Sequence, residues 1–119
     1  MDKFRAHAFL PLSPVAFEIL LALADGDRHG YSILQEIDSR SNGAISLHAG
    51  TLYRALARLL ESGLIDELDA PPAAGNDDER RRYYRLTSRG IAVARAEASR
   101  LEGQVMAARA RRLLKGSTA

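Results

Sequence analysis

The chain contains no cysteine and no tryptophan, and its few aromatic residues are four Tyr and three Phe. Without cysteine there is no disulfide and no thiolate metal site. Nothing in the composition implies secretion, and the expected compartment is the reducing cytoplasm. With so few aromatics, the core has to be built mainly from Leu, Ile, Val and Ala. Long apolar runs are missing too: none approaches the roughly 18 residues that a membrane span needs. Met1 to Leu12 carries Asp2, Lys3 and Arg5 among scattered apolar residues. It has neither an apolar h-region nor a small-residue cleavage site, so it does not read as a signal peptide. Paired catalytic carboxylates and a Ser-His arrangement are also absent, and Ser32 beside Tyr31 lacks any nucleophile-elbow context. His7, His29 and His48 have no metal-ligand spacing, and His29 reads better as a helix-start residue than as a ligand. Neither an enzyme nor a cofactor- or metal-dependent protein is expected.

What is present is a globular balance: 119 residues, 46% hydrophobic and 27% charged. That length suits one domain plus one extra helix. The net charge of +2 hides a segregation. Glu79 to Arg112 holds ten Arg against three Glu, whereas the rest of the chain holds seven Lys or Arg against twelve acids. Such asymmetry points to a polyanion or an acidic partner. The plainer explanation for the last helix is a solvated face of Arg–Glu pairs.

Ser13-Pro14 opens a first helix, because Ser caps free N–H groups and Pro at the first helical position has no N–H to waste. Val15, Ile19, Leu20, Leu23 and Ala24 follow at helical spacing, and Asp25-Gly26-Asp27 ends the run. A second helix covers about Gly30 to Arg40 with Ile33, Leu34 and Ile37 inward, before the breaker Ser41-Asn42-Gly43. A third covers about Ala49 to Ser62 with a stripe of Leu52, Leu56, Leu59 and Leu60, and Gly63 stops it. Leu64 to Leu68 and Arg81 to Leu86 read as two strands of an antiparallel hairpin around the turn-rich stretch Ala70 to Asp78. Tyr83 and Tyr84 alternate, so one is expected to face the core. Thr87 caps a last helix, about Ser88 to Leu114, on which Ile91, Ala94, Ala98, Leu101, Val105 and Ala108 form a heptad seam of small residues. The seam suits close pairing with a second copy. The apolar residues Phe4 and Phe9 need cover and are expected beside this last helix.

Three short helices, a hairpin and a further helix is the winged-helix order. In that fold the second helix braces the third, which projects its polar face into the major groove, where the four base pairs are distinguishable. The third helix offers His48, Thr51, Tyr53, Arg54 and Arg58 off its Leu stripe. Gly50 near its start lets backbone N–H groups approach a phosphate. Alone, such a helix is more often an ordinary amphipathic surface helix, and for Tyr53 packing and DNA contact are equally open. Arg80, Arg81 and Arg82 are more specific. Adjacent like charges add little to folding, and a phosphate backbone explains them, although a charged edge protecting the sheet is the plainer alternative. Asp77, Asp78 and Glu79 stand ready to pair with them in the free protein.

Taken together, His29-Gly30-Tyr31, Gly50-Thr51-Leu52-Tyr53, Gly63-Leu64-Ile65 and Arg82-Tyr83-Tyr84-Arg85-Leu86-Thr87 with Gly90 resemble the PadR family of transcriptional regulators. The resemblance covers about Pro14 to Gly90. It implies a mainly α fold with a small β-hairpin: an N-terminal segment 1–12, a winged helix-turn-helix 13–87 and a C-terminal dimerisation helix 88–115. It also implies a homodimer on double-stranded DNA carrying a palindromic operator, usually as a repressor, released in some members by a small aromatic effector. By motif position, Tyr31 would touch DNA backbone, Gly50, Thr51, Tyr53 and Arg54 would lie at or near the major groove, and Arg80 to Arg82 would form the wing contact. Arg54 and His48 stand where the family often has Pro, which bears on base preference and not on the fold. The alternative from another class is a winged-helix interaction module whose Arg cluster meets an acidic protein.

Overall fold

The computed structural model describes residues 3–69 and 82–115. Chain order is a 3₁₀ turn Ala6–Phe9, α1 Pro14–Ala24, β1 Arg28–His29, α2 Gly30–Arg40, α3 Ala49–Glu61, β2 Ile65–Leu68, β3 Tyr83–Leu86 and α4 Ser88–Ala110. The N-caps follow their chemistry. Ser13 Oγ accepts from Ala16 N–H at 3.1 Å, and Thr87 Oγ1 accepts from Gly90 N–H at 3.0 Å.

The core lies between α1, α2, α3, the sheet and the first turns of α4. It is made of Ile19, Leu20, Ala22, Leu23, Ile33, Ile37, Leu52, Leu56, Leu59, Leu64, Ile65, Tyr84 and Val93. Aliphatic side chains therefore do carry it, with one buried tyrosine. On α1 the inward set is shifted from the expected one, since Ala22 is buried and Ala24 is exposed. Of the two consecutive tyrosines, Tyr84 faces the core and Tyr83 is half-buried. Burial, followed by the Glu67 carboxylate across the strand pair, pushes the Tyr84 hydroxyl above its ordinary pKa.

The expected two-stranded hairpin is in fact a three-stranded antiparallel sheet, ordered β1-β3-β2. Arg28 pairs with Tyr84 and His29 with Tyr83, while Ile65 to Leu68 pair with Leu86 to Tyr83. The strand β1 adds a partner on the free edge of β3, which two residues suffice to do. Ile45 and Leu47 form no strand and pack half-buried against the core.

Helices α2, α3 and α4 end in the same way, with a left-handed residue and two reverse hydrogen bonds. After α3 that residue is Gly63, at φ 77°, with Gly63 N–H on Leu60 O and Leu64 N–H on Leu59 O. Asn42 takes the role after α2 at φ 54° and Arg112 after α4 at φ 62°. The last case corrects an expectation. The C-terminal helix runs to Ala110, not to Leu114, because Arg112 N–H turns back onto Arg109 O and Leu113 N–H onto Ala108 O.

The N-terminal segment packs on α4 as expected. Arg89 lies over the Phe4 ring, 5.0 Å from its centroid, and Phe4 and Phe9 form a tilted pair. The buried stripe of α4 is Gly90, Val93 and Glu97. The expected seam runs beside this stripe. Ile91, Ala98 and Val105 are exposed, and Ala94, Leu101 and Ala108 are half-buried.

Glu97 is the buried charged residue of the described chain, at 2% exposure. Arg100 holds its carboxylate with Nε at 2.5 Å and Nη2 at 3.1 Å, and Leu12 N–H donates to it at 2.9 Å. The Arg100 hydrogen bond outweighs burial and, with the Leu12 amide, holds the carboxyl below the ordinary carboxylate pKa of 4.5. A folded value below the unfolded one adds stability above the unfolded value, and that stability is lost as pH falls through the folded value. Glu97→Gln is therefore expected to destabilise the chain by about 1–2 kcal/mol at pH 7. In urea titrations the gap between wild type and variant should shrink below about pH 4.5. A gap that is unchanged down to pH 3 would contradict this reading.

Candidate nucleic-acid interface

The third helix is held by one face and open on the other. Leu52, Leu56 and Leu59 are buried, each contributing about 2 kcal/mol by leaving water. That anchoring leaves Tyr53, Arg54 and Arg58 exposed and Thr51 half-buried. Arg54 Nη2 reaches Thr51 Oγ1 at 3.4 Å, a long contact that a better acceptor would displace. His48 is the N-cap residue of α3, but its side chain makes no cap hydrogen bond. The first-turn N–H groups at Ala49 and Gly50 thus lack a side-chain cap, and a helix N-terminus of this kind favours an anion.

The HGY and GTLY motifs meet in space. His29 caps α2, its Nδ1 accepting from Ser32 N–H at 3.1 Å. This is the helix-start role expected of it. A Cβ on Gly30 would stand 2.5 Å from Tyr53 Oη, so Gly30 makes room for the α3 tyrosine against the start of α2. Tyr53 therefore packs with one end of its ring and stays half exposed, at 51%. Tyr31 points outward at 57% exposure and stacks on His29, with centroids 6.5 Å apart and planes 7° from parallel. Tyr83 meets His29 edge-on at 5.4 Å. The motifs thus fit α2 against α3 at Gly30 and leave two tyrosines exposed, Tyr53 on α3 and Tyr31 at the start of α2.

On the wing, Arg82 is exposed and pairs with Glu67 on β2, Nη1 to Oε1 at 2.5 Å. An exposed pair of this sort is worth at most about 1 kcal/mol, so phosphate can compete for the arginine. The acids Asp77, Asp78 and Glu79, expected to pair with the cluster, lie outside the described residues, as do Arg80 and Arg81.

Two structural devices escaped the sequence reading. Arg28 brackets the turn between α1 and α2, with Nε on Ala22 O at 2.8 Å and Nη1 on Ser32 Oγ at 2.9 Å. A lone loop arginine carries no signal of this. Glu97 did carry one, as an acid at core spacing from Gly90 and Val93. Among the described residues no group of His, Asp or Glu is arranged to hold a metal ion, and no helix is long and apolar enough to cross a membrane.

The model of the transcriptional regulator PadR-like family matches residues 19–96. The chain belongs to the PadR-like family. A transcriptional regulator from Clostridium thermocellum has the same fold at a TM-score of 0.67 and 30% identity, over 78% of this chain and 84% of that one. A PadR family transcription regulator from Clostridium difficile superposes at a TM-score of 0.64 and 27% identity, over 79% of this chain and 95% of that one. An uncharacterised protein of Lysinibacillus sphaericus is 36% identical over 74 residues, which are 62% of this chain and 65% of that protein. Members of the family are transcriptional regulators, not enzymes. This PadR-like chain is a DNA-binding regulator with a winged-helix fold, and the wing and α3 are its candidate contact surfaces.

Proposed function

We propose that the chain acts in the cytoplasm as a homodimeric repressor of a nearby operon, binding a palindromic operator. The observation that carries this reading is the two-faced α3, with Leu52, Leu56 and Leu59 buried and Tyr53, Arg54 and Arg58 exposed. In the proposal His48, Gly50, Thr51, Tyr53, Arg54 and Arg58 sit at the major groove, where Arg reads guanine and hydroxyls adapt to either partner. Tyr31 touches the adjoining backbone. Arg80, Arg81 and Arg82 contact phosphate irrespective of sequence. The seam from Ile91 to Ala108 pairs the two protomers. Release by a small aromatic effector belongs to the same proposal. An open surface depression of about 450 Å³ beside the N-terminal segment, lined by Phe4, Phe9, Lys3, Arg5 and Arg89 among others, is the place on the single chain where such an effector would be sought.

The wing part is tested by the Arg81→Ala, Arg82→Ala double variant in gel shifts on the DNA upstream of its own gene. Its affinity should fall for all duplexes alike. The slope of log affinity against log salt should flatten by up to about 2, since each neutralised phosphate contributes about 0.9. An unchanged slope would exclude the wing arginines from the contact. If the wild-type dimer shifts no duplex even at low salt, the acidic-protein module becomes the better reading.

A further inference from the structure

We propose that Glu97 is a positioning residue that sets the angle between α4 and the DNA-reading half of the chain, and so the half-site spacing that the dimer accepts. The inference rests on the dimer reading above. Its basis is the place of Glu97 on α4. Before it, Gly90 and Val93 are buried against the domain; beyond it no residue of the helix is buried, and Ala108 and Leu101 are only half covered. Glu97 is thus the last buried anchor of the helix, and the outer part of the proposed seam, Leu101, Val105 and Ala108, lies beyond it.

The carboxylate is held so that it cannot swing. Arg100 grips both oxygens, one through Nε and the other through Nη2, and that second oxygen also receives the Leu12 N–H at 2.9 Å. Leu12 directly precedes Ser13, whose hydroxyl caps α1, and α1 packs on both α2 and α3. Besides the direct packing of α4 on α1 and on the 3₁₀ turn, one hydrogen bond at the outermost buried position therefore joins the protruding helix to the start of the element that carries the reading helix. A leucine would fill the same volume without bringing a charge out of water, so burial of an acid here is poorly explained by packing alone. Buried polar groups are well attested as devices that select one register among several packings.

The lever is long enough to matter. From Glu97 to Ala110 the helix extends roughly 20 Å at 1.5 Å per residue. A tilt of about 10° at the anchor moves its far end by roughly 3.5 Å, close to one base-pair step along DNA. Dimeric helix-turn-helix proteins read two half-sites about one helical turn apart, so such a shift changes which spacing fits.

The test starts from selection of duplexes from a random pool with the wild-type chain, followed by binding to the selected site with its spacer lengthened or shortened by one and two base pairs. Wild type should lose about tenfold in affinity for each change. Glu97→Leu, which cannot accept the Leu12 N–H, should lose less than about threefold while sedimenting as a dimer and selecting the same half-site. Arg100→Met, which leaves the Leu12 N–H an acceptor but removes the grip on the carboxylate, should relax the spacing preference partly, to between wild type and Glu97→Leu. A merely structural role would lower all affinities together and leave the spacing preference intact. Full spacing selectivity in a dimeric Glu97→Leu overturns the inference. Should that variant not fold, Glu97→Gln decides alone: partly relaxed spacing supports the inference, and wild-type selectivity overturns it. A wild-type chain that selects single half-sites, or sediments as a monomer, overturns the dimer reading itself.

Discussion

Replacing Gly90 with alanine is expected to destabilise the fold by about 3 kcal/mol, the upper end of what overpacking usually costs. A Cβ at this position would overlap the Leu64 carbonyl oxygen and lie 3.0 Å from its carbon and 3.1 Å from Leu86 Cδ2. The oxygen belongs to backbone and is already engaged, since Thr87 N–H donates to it at 3.1 Å, while Thr87 Oγ1 donates to Gly63 O at 2.7 Å. The Leu86 methyl can shift by a few tenths of an ångström, but the carbonyl cannot yield without opening the junction of α3, β2 and α4. In thermal denaturation the midpoint should fall by roughly 10 °C. Gly103 provides the control. It lies on the same helix with nothing within 4 Å of a new Cβ, so alanine there should add roughly 1 kcal/mol. If both substitutions behave alike, the close approach at Gly90 is not what the position requires.

The largest effect on DNA binding is expected from Leu101→Asp combined with Val105→Asp. Val105 is 38% exposed and Leu101 half-buried, so two carboxylates there cost the single chain little. Facing a second copy they would be like charges brought out of water, which an interface of small residues has no means to pair. The variant should sediment as a monomer with an unchanged far-ultraviolet spectrum. Operator affinity should fall roughly 100-fold or more, because each half-site would then be bound without the advantage of a tethered neighbour. An intact dimer would move the interface elsewhere, with the N-terminal segment around Phe4 and Phe9 the next place to look.

Most elements were legible because their signals are local. Ser13-Pro14, His29 and Thr87 start helices by chemistry visible within four residues, and the Leu stripe of α3 fixes its inward face. What escaped depends on distant partners. Arg28-His29 is too short to show alternation, and it becomes a strand only because β3, far along the chain, presents an open edge. The end of α4 escaped because Arg112 adopts a conformation usually signalled by Gly or Asn. Gly90 was recognised as part of a motif, but its reason, a carbonyl pressed against its Cα, exists only once α3 and α4 meet. Of the α3 residues of the candidate site, His48, Gly50, Tyr53, Arg54 and Arg58 are exposed, as their spacing off the Leu stripe suggested, and Thr51 is half-buried. How Tyr53 divides itself between packing and exposure depended on Gly30, a residue of another helix.

The bonds that tie Gly63 and Leu64 to Thr87 have a consequence for how such chains diversify. They clamp the base of the wing at the point where β2 leaves α3 and β3 meets α4. Residues inserted or deleted between Leu68 and Tyr83 then leave the junction, and hence α3, where it was. Loop closure grows only slowly more costly with length, about 0.6 kcal/mol per doubling. A change in the length or charge of that segment is therefore expected to leave α3 in place. If the proposed division of labour holds, selection can alter how tightly such a regulator holds DNA in general separately from which sequence it prefers.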